Sequence, residues 1–104
     1  MCRKAHGAAF ASFVSVRPEA FHVLEGAECI SSYHSSEQVK RTFCNRCGSS
    51  LQFMDQRDEH MEVTAGTLDS TLPGTRQYHI YVDSKAEWYD IEDHLPKYPN
   101  DADN

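Results

Sequence analysis

Polar and apolar positions alternate along this chain in short runs, broken by Pro, Gly and Asp before any run spans several helical turns. Segment 8–16, Ala-Ala-Phe-Ala-Ser-Phe-Val-Ser-Val, is small, apolar and partly β-branched. It predicts a strand that stops at Arg17-Pro18, where proline removes a ladder donor. Segment 21–26 predicts a second short strand closed by Gly26, and the moderate alternation of 29–34 predicts a third. The run 39–43 leads into Cys44-Asn45-Arg46-Cys47-Gly48 and 51–54 leads out, so a hairpin with the cysteines at its tip is expected. Across 60–67, Met61, Val63 and Ala65 alternate with polar neighbours, the pattern of a half-buried strand. Leu72-Pro73-Gly74 marks a turn, 78–82 is dense in strand formers, and 84–88 has room for one helical turn. With no sustained 3.6-residue period, the expectation is an all-β domain.

Composition narrows the picture. The 104 residues suffice for one small domain, whose core would gain from a bound metal. No apolar run approaches the roughly 18 residues of a membrane span, so no membrane role is expected. Residues 1–7 contain no apolar stretch of the secretory kind. The formal charge of −6, with Arg3-Lys4 and Lys40-Arg41 as isolated pairs, argues against nucleic acid as the partner. Four cysteines without a secretory signal point to a reducing cytoplasm, where they act as ligands or nucleophiles rather than disulfides.

Two cysteines at the spacing of Cys44 and Cys47, followed by glycine, make half of a tetrahedral zinc site, since both thiolates can face one metal from a tight turn. A dithiol redox pair is the rival, but such pairs normally open a helix, and Gly48-Ser49-Ser50 starts helices poorly. Cys2 stands beside Arg3 and Lys4, whose charges favour its thiolate and suit it as ligand or nucleophile; a terminal cysteine with no role is the bland alternative. Cys29 is either a small buried hydrophobe or a further thiolate. The six histidines include no His-x-x-x-His pair; His79, between Tyr78 and Ile80, reads as a core-edge histidine held by backbone. Tyr78, Tyr81, Trp88 and Tyr89 read as core aromatics, and Asp55, Asp58 and Glu59 as a solvated loop.

The segments Cys2-Arg3-Lys4-Ala5-His6-Gly7-Ala8-Ala9-Phe10, Phe21-His22-Val23-Leu24-Glu25-Gly26, Tyr33-His34-Ser35-Ser36 and Phe43-Cys44-Asn45-Arg46-Cys47-Gly48-Ser49 resemble the glutathione-dependent formaldehyde-activating enzyme family, which includes centromere protein V. Gly66-Thr67-Leu68-Asp69, His79-Ile80-Tyr81 and Ala86-Glu87-Trp88-Tyr89 extend the likeness, giving a domain over 1–99 with a polar tail at 100–104. The resemblance implies a zinc-containing β-tent of short coiled sheets, here missing its first strands. It implies a structural Zn2+ held partly by Cys44 and Cys47, and an active-site Zn2+ of which Cys2 supplies one of three ligands and acts as the catalytic cysteine. Arg3 and Lys4 are then the groups that would attract an anionic thiol such as glutathione. The implied activity is that of a zinc-dependent carbon–sulfur lyase acting on a thiol adduct of formaldehyde or a similar small aldehyde. With its upstream ligands absent, the chain as written is expected to turn over weakly or not at all, and whether it is an enzyme stays open. The alternative is a non-catalytic zinc module that binds a protein partner. A homodimer is also compatible, because missing strands would leave a sheet edge free.

Overall fold

Met61 and Val63 lie two positions apart on one strand and are both buried, Val63 to 1% exposure. This is the alternation read from the sequence, and the rest of the sheet is built around it. The computed structural model describes residues 2–72 and 76–102, with the Cys2 side chain outside that description. Strands β1 (Phe13–Val16), β2 (Ile30–His34), β3 (Val39–Cys44), β4 (Ser50–Asp55) and β5 (Met61–Thr64) form a five-stranded sheet in the order β1-β5-β4-β3-β2. All its pairings are antiparallel.

The register places Val14 opposite Val63, Val63 opposite Gln52, Gln52 opposite Thr42, and Thr42 opposite Ser32. Directly opposed residues share a face, so this row crosses the whole sheet on one side. Its centre is polar: the buried Thr42 hydroxyl donates to Gln52 Oε1 at 2.9 Å, and Gln52 Nε2 reaches the Met61 sulfur at 3.9 Å. On the opposite face the Phe13 and Phe53 rings lie 6.4 Å apart, and the Arg41 guanidinium covers Phe53 at 4.8 Å. A bulge follows: Thr42 faces Gln52 but Phe43 faces Ser50, which leaves Leu51 as the extra residue just before the cysteine turn.

The chain divides into two compact units, residues 12–69 with the sheet, and residues 1–11 together with 70–104. The second opens on a short helix, α1 (Cys2–His6). Arg3, Lys4 and Ala5 are good helix formers, and Gly7 at φ 63° ends the helix while Ala8 N–H bonds the Arg3 carbonyl at 3.3 Å. Farther on, His79 N–H donates to the Pro96 carbonyl (2.8 Å) and Tyr98 N–H to the His79 carbonyl (2.9 Å), an isolated parallel bridge of His79 with Lys97.

Several expectations need correction. The all-β β-tent gives way to a mixed α/β arrangement, with α1 ahead of one open sheet whose edges are β1 and β2. The strand expected over 8–16 shrinks to β1, its first residues being taken by the helix stop. Segment 21–26 makes no ladder and lies between 3-10 turns at Pro18–Ala20 and Ala27–Cys29. The strand expected at 78–82 is interrupted because Tyr81 is left-handed at φ 56°, a conformation outside the extended region. A 3-10 turn, Val82–Ser84, follows in place of the helical turn expected at 84–88. Pro73 and Gly74, of the expected turn, lie outside the described residues.

Candidate functional site

The β3–β4 hairpin carries the Cys44–Cys47 turn where the sequence places it. Cys44 N–H donates to the Ser49 carbonyl at 2.8 Å, and Gly48 N–H returns to the Cys44 carbonyl at 2.7 Å. Gly48 sits at φ 81°, where a side chain would be strained, which explains why glycine follows the second cysteine. The turn is tied to its neighbour on the sheet: Asn45 N–H donates to the Cys29 carbonyl at 2.8 Å, and Asn45 Nδ2 to Ser31 Oγ at 3.0 Å.

The two nearby thiols are shifted in opposite directions. The backbone N–H groups of Cys47 and Arg46 and the Cys47 thiol donate to the Cys44 sulfur, holding its pKa below the ordinary thiol value. Partial burial opposes this, and the Arg46 charge adds to it. Cys29 is pushed the other way, first by burial and then by the Glu28 carboxylate and Cys44. The Cys44 sulfur is therefore shifted toward the thiolate and the Cys29 sulfur away from it, while Cys47 stands exposed.

The same geometry overturns the zinc expectation. Among the described residues no group of three or more His, Cys, Asp or Glu side chains is placed to hold a metal ion. The turn offers the sulfurs of Cys44 and Cys47 where a structural zinc needs about four ligands, and Cys29 meets the turn through its backbone carbonyl. The Zn2+ cofactor, the zinc-dependent carbon–sulfur lyase and the partial active-site ligand count are all corrected on this finding, as is the zinc in the binding-module alternative. Arg3 and Lys4 lie exposed on α1.

A second constellation escaped the sequence. His79 Nε2 lies 2.7 Å from Asp93 Oδ2, with Lys97 Nζ 3.6 Å from Asp93 Oδ1 and Leu95 N–H donating to that oxygen at 3.1 Å. The Asp93 carboxyl is held below the usual carboxylate range, chiefly by His79 and further by Leu95 and Lys97, against some burial. Nothing in the spacing of residues 79 and 93 announces this pair. Its only local trace is the Asp93-x-Leu95 turn, in which an aspartate caps the backbone two residues on.

No helix among the described residues is long and apolar enough to cross a membrane. Compared with protein families, residues 1–84 match the family described as glutathione-dependent formaldehyde-activating enzyme. Among curated proteins no significant match is found.

Proposed function

Since the chain belongs to the glutathione-dependent formaldehyde-activating enzyme family, we propose that it works on small thiol–aldehyde adducts, with the Cys44 sulfur as its reactive group. The observation that carries this reading is the set of donors on its own turn that hold Cys44 toward the thiolate. A thiolate is the nucleophilic form of sulfur and adds to an aldehyde carbonyl. As the carbon–sulfur bond forms, the carbonyl π pair moves to oxygen, which takes a proton from water to give an S-hydroxymethyl group. The addition is reversible, so the group can be released as formaldehyde and taken up by a soluble thiol such as glutathione.

Arg3 and Lys4 supply two cations on one short helix for the carboxylates of an anionic thiol. Cys2, on the same helix, is the second candidate nucleophile. A domain extending over 1–99, a cytoplasmic setting that keeps four cysteines reduced, and pairing of two copies through the free edge of β2 complete the proposal.

The test uses 13C-labelled formaldehyde and NMR. The expected result is an S-hydroxymethyl resonance on Cys44 that disappears in Cys44→Ser and fades as glutathione is added. Cys2→Ser serves as the parallel variant, and Arg3→Ala with Lys4→Ala should raise the glutathione concentration needed, by a factor that shrinks at high salt. A Cys44→Ser protein that labels like the unmodified chain would sink the assignment to Cys44.

A further inference from the structure

Residues 76–102 hold the His79–Asp93 pair through bonds to both partners. His79 is fixed through both sides of its peptide group by Pro96 and Tyr98. Asp93 is fixed by the Leu95 N–H, and Lys97, which also donates to the Asp93 and Leu95 carbonyls at 2.9 and 3.0 Å, stands beside its carboxylate. An anionic oxygen 2.7 Å from Nε2 requires a proton on that nitrogen. In the neutral imidazole the lone pair then sits on Nδ1, for which the described residues provide no hydrogen-bond partner.

The surroundings suit a small organic reactant. Phe10 meets the imidazole edge-on at 6.4 Å, Tyr89 packs on Phe10 at 5.5 Å, and Trp88 lies 6.5 Å from Tyr89. These rings are 49%, 40% and 69% exposed, and the His79 side chain keeps 20% of its surface. The imidazole thus borders an open aromatic shelf, with Asp93 and Lys97 as the charged groups beside it.

We infer that His79 is a proton-transfer base for thiol–aldehyde addition on this shelf and that Asp93 is its positioning residue. Nδ1 takes the proton of a small thiol as its sulfur bonds to the aldehyde carbon. The carbonyl π pair moves to oxygen, and the same nitrogen returns the proton there. One S–H bond and one C=O π bond are exchanged for one C–S and one O–H bond, with no oxidant or reductant. The inference rests on the thiol–aldehyde reading, but it does not need Cys44 as the nucleophile.

The experiment follows exchange between glutathione with formaldehyde and their S-hydroxymethyl adduct by NMR exchange spectroscopy, using the full chain between about pH 6 and 8, where imidazoles titrate. His79→Gln keeps an amide donor for Asp93, so loop closure survives. It should lose about a hundredfold of the acceleration. Asp93→Asn should lose at least about tenfold and shift the pH profile, because its amide group favours the other tautomer. Free imidazole should restore part of the rate to His79→Ala, and 15N spectra should report the Nε2–H tautomer in the unmodified chain. If that chain gives no acceleration, the thiol–aldehyde reading falls and the inference with it. Acceleration that survives His79→Gln overturns the inference alone. A loss that imidazole does not restore, with an unshifted pH profile in Asp93→Asn, makes the pair structural and also overturns it.

Discussion

Asp55 and Arg57 lie two residues apart at the end of β4, and their side chains close on each other through bonds of 2.8 and 2.7 Å, while Arg57 N–H donates to the same carboxylate at 3.0 Å. These bonds lower the Asp55 pKa from 3.8 to about 2. A carboxyl depressed on folding contributes stability above its unfolded value and loses it as pH falls through the folded one, here from 3.8 down to about 2. Arg57→Ala should therefore be slightly less stable than the parent at neutral pH, and the gap should close as pH drops through that window. Acid titration followed by circular dichroism checks this, and the gap should be small because the Arg57 side chain is 67% exposed. Single residues were unevenly legible in the sequence. The Cys44–Cys47 turn and its glycine could be read because turn chemistry is local. The His79–Asp93 pair could not, since a hydrogen bond between residues far apart leaves no spacing to detect.

At the scale of elements, β3 and β4 appeared where the hairpin reading placed them and β5 where alternation did, but the polar centre of their shared face was not foreseen. Thr42 and Gln52 look like solvent-side residues until the register sets them opposite each other and buries both. Thr42→Val keeps the shape and leaves the Gln52 carbonyl oxygen without its donor. The expected cost is about 1–3 kcal/mol by urea denaturation, the range for a buried polar atom left unpaired. Thr42→Val with Gln52→Leu should recover part of that loss, because removing both partners leaves no orphan. Misreadings came where one residue vetoed a pattern. Left-handed Tyr81 breaks the run 78–82, and left-handed Gly7 ends a helix in a segment with no long-range helical period.

For the whole molecule, five of the seven segments expected as strands and the hairpin at the cysteine turn followed from the sequence, while the open sheet and the division into units 12–69 and 1–11 with 70–104 did not. An open edge has a consequence for assembly. Pairing through β2 predicts a concentration-dependent dimer in sedimentation equilibrium, weakened by Tyr33→Lys, since lysine on an edge strand discourages strand addition. A monomer at all concentrations would rule that pairing out. Local rules decided what local physics controls: the alternation that buries Met61 and Val63, the glycine that follows Cys47, and the family likeness carried by short motifs. Only tertiary structure decided what depends on distant chain segments meeting. It set the bonds from Asn45 to Cys29 and Ser31, kept a third or fourth metal ligand from gathering at the cysteine turn among the described residues, and delivered Asp93 to His79. The physical reason is that spacing along a chain fixes which side chains share a turn or a strand face, whereas ligand sets and dyads form between elements whose mutual placement the spacing does not contain.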